Sequence, residues 1–204
     1  AHSCNCAFAD MGLNLGVGSL RSTAEDLLFN KALPLNSYKT SRFTLEKNSA
    51  TALVMQTSIG QGNTLVSPMH MVLITSAIAI DGVLLKPTMI DKIVNNSGDT
   101  VKETEKTEYK RLMTSNEAGI LGKLMKNVVE NGTASALNGR GYTVAGKTGS
   151  AEFDENGSSH SWFIGYSNVD NPDIAIAVIV ENGGTGSEAA VPIAGDVFDA
   201  YYFD

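Results

Sequence analysis

Positive charge is scarce in this sequence: 15 lysines and arginines stand against 22 aspartates and glutamates, a net charge of −7. Nothing basic is clustered. This excludes a surface for non-specific nucleic-acid binding, and nucleic acid is not an expected partner. Long hydrophobic runs are missing too. The longest, about residues 71–80, is interrupted by Thr75 and Ser76 and falls far short of the roughly 20 apolar residues that a bilayer span needs. The opening Ala1-His2-Ser3 lacks the charged-then-apolar pattern of a secretory signal. Cysteine is nearly absent. Cys4 and Cys6 are separated by one residue, so a mutual disulfide would be strained. A C-x-C with only His2 nearby also makes a poor metal site. No metal and no cofactor is expected.

What remains is a 204-residue chain, 43% hydrophobic, without low-complexity tracts. That is long enough to bury a sizeable core as one large domain or part of one. Residues 1–82 read as mainly helical. Phe8, Met11 and Leu15 mark one face of a first short helix, with Ser3 or Asn5 available as its cap. Gly16 and Gly18 punctuate, and Ser19 then caps a second helix that turns Leu20, Ala24, Leu27 and Leu28 inward. Residues 30–48 read as an irregular connection. Ser67-Pro68 is a helix start, with serine as cap and proline at the first helical position. The helix that follows is apolar nearly all round, as a buried helix is.

Residues 83–112 read as a peripheral β-hairpin around the turn cluster Asn95-Asn96-Ser97-Gly98-Asp99. A long helix then runs from a cap at Thr114 or Ser115 to about Glu130, with Ala118, Leu121, Leu124, Met125, Val128 and Val129 as its buried stripe. Residues 134–141 read as a flexible loop carrying Arg140. From residue 142 the chain forms three strand candidates, 142–153, 160–167 and 173–180. They are joined by short turns, at 154–159 and 168–172, and a closing helix follows over 191–202. The third strand is apolar on both faces, as a strand covered by helices is. Helices, an antiparallel meander and a final helix make an α+β architecture.

The first of these strands contains Val144-Ala145-Gly146-Lys147-Thr148-Gly149-Ser150-Ala151-Glu152. One cation and several hydroxyls sit among glycines that leave the strand bare enough for another chain to pair with its edge. Taken with Ser3-Cys4-Asn5 at the start of a helix, this stretch resembles the K-T-G and S-x-N motifs of penicillin-binding proteins. Gly60-Gln61-Gly62, Val66-Ser67-Pro68-Met69-His70-Met71, Gly132-Thr133-Ala134 and His160-Ser161-Trp162-Phe163-Ile164-Gly165-Tyr166 follow in the same order. The ordered set resembles the transpeptidase domain of class B penicillin-binding proteins across essentially the whole chain.

The resemblance implies a fold of the penicillin-binding transpeptidase and serine β-lactamase type, and acyl transfer through a serine ester. Such an enzyme attacks an acyl-D-Ala-D-Ala stem peptide, releases D-alanine and passes the acyl group to an amine of a neighbouring stem. It implies that Ser3 relays a proton to the leaving nitrogen and that Asn5 hydrogen-bonds the substrate carbonyl. Lys147 would supply positive potential and organise Ser3. Thr148 and Ser150 would bind the substrate carboxylate, the Ser150 N–H would form half of an oxyanion hole, and Gly149 would leave room beside the strand. Expected partners are peptidoglycan stem peptides and β-lactams. The expected location is the extracytoplasmic face of the bacterial membrane, through an N-terminal anchor outside this chain.

One part of the family pattern has no counterpart. The chemistry needs a nucleophilic serine with a lysine one helical turn later, and no S-x-x-K occurs in the sequence. Thr44-Leu45-Glu46-Lys47 comes nearest, but it follows S-x-N, whereas in the family the nucleophile precedes it. The expectation is that residues 1–204 are the C-terminal part of one transpeptidase domain, with the first strands and the nucleophile helix elsewhere. Either that segment or a second chain would complete the sheet, and the chain alone would be inactive. Two readings compete. One is a related β-lactamase or D,D-carboxypeptidase; the other is a non-catalytic sensor or binding module that keeps the cleft without the chemistry.

Overall fold

The computed structural model describes residues 1–35, 38–153 and 159–203. Its centre is an antiparallel sheet in the order β5-β6-β7, formed by Val144–Glu152, Ser159–Ser167 and Ala175–Val180. The register pairs Ala145 with Tyr166, Thr148 with Phe163 and Ser150 with Ser161. Paired residues share a face, so the sheet sorts its side chains into two cores. Val144, Phe163 and Ile176 pack with Val191, Ala194 and Phe198 of the closing helix α5, Val191–Phe203. Ala145 and Tyr166 pack on the other side with Leu73, Ile74 and Ala77 of α3, Pro68–Ala79. Helices on both faces explain why β7 is apolar throughout. The α+β expectation holds.

α3 begins as the sequence predicts. Ser67 accepts from the His70 N–H, and Pro68 occupies the first turn. His70 itself is fully buried. Its Nε2 lies 2.7 Å from the Leu27 carbonyl, which can only accept, so Nε2 carries the ring proton. Burial holds the ring neutral by pulling its pKa below 6.5. α4, Ser115–Asn131, opens on a capping box in which Thr114 and Glu117 satisfy each other's backbone N–H groups. Between α3 and α4, β1 (Val83–Leu85) pairs with β4 (Glu108–Arg111), and β2 (Lys92–Val94) pairs with β3 (Thr100–Glu103). β2 and β3 are exposed along their whole length.

Several sequence expectations need correction. α1, Asn5–Asp26, is two helices joined at a kink at Gly16 (φ 75°, ψ 161°), so the punctuation at Gly16 holds and the caps do not. Cys4 holds its N-cap position, and neither Ser3 nor Asn5 caps it. Phe8, Met11 and Leu15 do not face a core: they are 45%, 47% and 60% exposed. α1 packs instead through Ala9 and Gly12, and a Cβ on Gly12 would lie 1.8 Å from the Ser58 hydroxyl of α2, Thr51–Ser58. Small residues permit the close helix contact, and the larger apolar ones are left outside it. Likewise α4 buries Gly122 in place of Leu121 and Leu124, which are 37% and 58% exposed. Tyr166 explains this, since its hydroxyl stands 2.7 Å from where a Gly122 Cβ would be.

Residues 134–141 are not a loose loop. Ser135–Leu137 forms a 3₁₀ turn, and Ala134 and Leu137 are buried. Arg140 pairs with Asp199 of α5, and Tyr142 donates to the same carboxylate at 2.6 Å. Burial, then that carboxylate, pushes the Tyr142 phenol up to about 12. The turn expected over residues 154–159 falls largely on 154–158, which lie outside the described residues.

Candidate active site

Among the described residues β5 is an edge strand: β6 pairs with one side of it and no strand with the other. Its open side faces α1 and the turn after α2. Alternation places Lys147 on the same face as Ala145, toward the helices, and Thr148 with Ser150 on the opposite face. All three nevertheless reach one cavity of about 420 Å³, because the strand is bare at Gly149 and the cavity wraps around its edge. The six residues expected from sequence, Ser3, Asn5, Lys147, Thr148, Gly149 and Ser150, all line it.

Lys147 is half-buried, and desolvation pulls its pKa below the usual 10.5. It donates to the Ser3 hydroxyl at 2.7 Å and to the Thr148 carbonyl at 2.6 Å. Among the described residues it has no carboxylate partner; the ion pairs there are Arg21–Glu46, Lys126–Glu130 and Arg140–Asp199. Desolvation disfavours a cation, so a buried charge without a counterion is ready to accept an anionic ligand. Ser3 meets the lysine from a left-handed backbone conformation (φ 50°), uncommon outside glycine. That kink turns its hydroxyl toward β5 just before α1 begins. Asn5 occupies the first turn of α1 and lines the cavity beside it.

The two strand hydroxyls are oriented by groups that the sequence analysis left without a role. The Ser150 hydroxyl accepts from the Gly186 N–H at 3.2 Å. The Thr133 and Thr148 hydroxyls lie 2.5 Å apart. A hydroxyl has one proton and two lone pairs. Accepting from Gly186 therefore leaves Ser150 its proton for a ligand, and Thr148 keeps its own in the arrangement in which Thr133 is the donor of their pair. Thr133 belongs to the Gly132-Thr133-Ala134 motif, which flagged the place and not the contact. Gly186 ends the glycine-rich stretch Gly183-Gly184-Thr185-Gly186 that follows the third strand.

Backbone direction completes the geometry. Gln61 Nε2 donates to the Ser150 carbonyl at 3.2 Å from across the cleft, so that carbonyl points to the open edge. In a strand the N–H and C=O of one residue point the same way, and the Ser150 N–H faces the cavity too. The site thus offers a cation, two hydroxyl donors and a backbone N–H to an anion or an oxyanion. Other candidates lie elsewhere. Arg140 is held on α5, and His160 accepts from the Asn182 N–H. Phe163 is core, whereas Trp162 lines a neighbouring groove with Glu152. Cys4 and Cys6 are exposed free thiols.

Residues 1–199 match the family model of the penicillin-binding protein transpeptidase domain. The chain is 28% identical, over 95% of its length, to peptidoglycan D,D-transpeptidase PbpA of Mycolicibacterium smegmatis, and spans 41% of that relative. Its fold superposes with a TM-score of 0.84 on the D,D-transpeptidase domain of a peptidoglycan glycosyltransferase from Eggerthella lenta, at 27% identity, covering 98% of this chain and 51% of that one. It superposes with a TM-score of 0.83 on the imipenem acyl-enzyme complex of penicillin-binding protein A from Mycobacterium tuberculosis, at 27% identity, covering 98% and 45%. The S-x-N and K-T-G segments, the open edge of β5 and this match over nearly every residue lead to one conclusion: the chain belongs to the penicillin-binding protein transpeptidase family.

Proposed function

We propose that the protein is a peptidoglycan D,D-transpeptidase and that residues 1–204 form its substrate-anchoring half. The observation that carries this reading is Lys147: a half-buried ammonium without an acidic partner among the described residues, bonded to the Ser3 hydroxyl and flanked by Thr148 and Ser150. The terminal carboxylate of an acyl-D-Ala-D-Ala stem accepts hydrogen bonds from the two hydroxyls under the lysine's field. The peptide bond between the two D-alanines then lies beside the Ser150 N–H, which stabilises the oxyanion as a serine hydroxyl adds to the carbonyl carbon. The C–N bond breaks. Ser3, held by Lys147, passes a proton to the leaving nitrogen and D-alanine departs. Asn5 holds the amide of the acyl segment. An amine of a second stem then attacks the ester, forms the new amide and restores the serine.

That serine, with its lysine one turn away, is supplied from outside residues 1–204. The edge of β7 that has no partner among the described residues, and the exposed apolar side chains of α1 and α4, support the same division. They are the surfaces that a preceding segment, or a second chain, covers to complete the sheet. No described helix is long and apolar enough to cross a membrane. The anchor that holds the enzyme at the extracytoplasmic face is placed in the same outside segment.

The complete polypeptide is expected to form a stable covalent adduct with a fluorescent penicillin, and an acyl-D-Ala-D-Ala peptide is expected to slow that labelling. Sustained release of hydrolysed penicillin would assign it to the β-lactamases. Failure to label at all would make the cleft a binding module.

A further inference from the structure

Gln61 was singled out in the sequence only as the middle of a Gly-Gln-Gly motif, and the acyl-transfer steps do not use it. Its placement is built with care. Gly60 and Gly62 both take left-handed backbone conformations (φ 85° and 77°), which favour glycine. The Gln61 N–H is tied back to the Gln56 carbonyl of α2 at 2.9 Å. A Cβ on Gly62 would press on Leu53 at 3.2 Å, so the turn sits directly on α2. The result is a carboxamide projected across the cleft from a fixed turn. Of the side-chain hydrogen bonds among the described residues, two join the α1–α2 region to the sheet: Lys147 to Ser3, and Gln61 to Ser150.

The Gln61 contact falls on the outward carbonyl of an edge strand, the group through which an extended peptide adds to a sheet. Gln61 also stands where two spaces meet. On one side is the cavity of Lys147, Thr148 and Ser150; on the other is a groove of about 820 Å³ lined by Phe153, His160 and Trp162. Ile59, Gln61 and Glu152 border both. A ligand whose carboxylate rests at Lys147 and whose remaining chain runs into the groove passes under the Gln61 amide.

We propose that Gln61 is a specificity-determining residue that reads the backbone of the acyl donor. With the cleft empty, its N–H stands in for the absent strand neighbour of Ser150. When an extended donor docks, the donor's own amide N–H takes the Ser150 carbonyl and Gln61 turns its carboxamide onto the peptide group of the incoming chain. The donor is then held on both edges, by β5 and by Gln61. A primary amide suits this role because it carries donor and acceptor together, as a peptide group does. The site therefore favours ligands with a secondary amide next to the reactive carbonyl over ligands that bring only a carboxylate and a reactive carbonyl. This inference rests on the acyl-transfer reading above.

The test compares two probes on the complete protein. Penicillin G carries an acylamido N–H beside its lactam carbonyl; imipenem carries a hydroxyethyl group there instead. The substitution Gln61→Ala is expected to slow acylation by penicillin G about tenfold, the value of one hydrogen bond to a well-placed partner. Acylation by imipenem is expected to change by less than about twofold, since that probe leaves the Ser150 carbonyl without a new N–H. Gln61→Met, which keeps the length and removes the hydrogen bonds, gives the same split where the alanine variant is poorly folded. Equal loss with both probes would make Gln61 a scaffold for the turn and overturn the proposal, as would no loss with either. Failure of the unsubstituted protein to react with either probe would instead be a failure of the acyl-transfer reading.

Discussion

Replacing Lys147 with methionine is expected to slow acylation of the complete polypeptide by a penicillin about 10²- to 10³-fold, the usual cost of removing one preorganised electrostatic group from a reaction centre. Methionine fills much of the same volume, so the loss reports charge rather than packing. In the proposed reaction Lys147 acts twice: its field holds the ligand carboxylate, and its N–H fixes the Ser3 hydroxyl at 2.7 Å. The pH profile carries the same information with a definite sign. The protonated ammonium is the working form, so activity is present below the Lys147 pKa and lost as pH rises through it. Desolvation has moved that pKa down from 10.5. The alkaline limb therefore falls at a lower pH than a free lysine would give. Lys147→Arg keeps its charge well beyond pH 11 but loses the compact head that reaches both Ser3 and Thr148. Its rate is reduced, and the alkaline limb due to residue 147 is gone. A methionine variant that acylates normally, or an unchanged limb in the arginine variant, would remove Lys147 from the mechanism.

Gly186→Ala is expected to be nearly as damaging, for a steric reason. A Cβ there would stand 2.7 Å from the Trp162 carbonyl, 2.8 Å from the Gly149 carbonyl and 2.9 Å from the Thr148 Cβ. The first two are strand backbone and cannot swing away. The segment around Thr185 must lift, which breaks the Gly186–Ser150 bond and strains the Ser161 hydroxyl that donates to the Thr185 carbonyl at 2.7 Å. Overpacking of this kind costs about 1–3 kcal/mol of stability. A shift of about 1 Å in the groups that hold the ligand costs on the order of 10²-fold in rate. Thermal unfolding and acylation rate measured side by side check both. Gly98→Ala is the control. Gly98 sits in the exposed hairpin turn with nothing within 4 Å of its missing Cβ, so the backbone is strained (φ 89°) and the site is untouched. Normal acylation in the Gly186 variant would mean that the loop does not close the cavity.

The two glycines show what a sequence can and cannot disclose here. Local chemistry is legible: Ser67-Pro68 opens α3, Thr114 caps α4, and the run over residues 174–180 yields a strand packed on both faces. These features depend on residues within one turn or one strand of each other. Gly122 and Gly186 depend on what arrives from far along the chain, Tyr166 in one case and β5 in the other. Periodicity therefore points the buried stripe of α4 toward Leu121 and Leu124, because it favours large apolar residues and does not see a phenol across the interface. The stripe Phe8, Met11 and Leu15 marks an apolar face in the sequence, and the described residues leave that face exposed.

The site divides in the same way. Ser3, Asn5, Lys147, Thr148, Gly149 and Ser150 were legible because the chemistry of carboxylate binding and proton relay demands those residue types, and the order of the motifs matched a family. The groups that orient them were not. Thr133 gives the Thr148 hydroxyl its partner, Gly186 does so for Ser150, and Gln61 reaches the Ser150 carbonyl across 89 positions of sequence. No local pattern demands a threonine, a glycine or a glutamine at those places. A glutamine between two glycines was the one visible hint, since a long amide on a turn that forbids ordinary backbone is unusual.

The proposed function divides the labour: residues 1–204 would bind and position, and the nucleophile would come from outside them. Covalent labelling with a fluorescent penicillin, run on the 204-residue chain alone and on the complete polypeptide, tests this most directly. The complete polypeptide is expected to carry a covalent label and the chain alone none, even at penicillin concentrations that saturate the complete protein. A covalent adduct on any serine, threonine or lysine of residues 1–204 in the isolated chain would contradict the account and place the nucleophile within this chain.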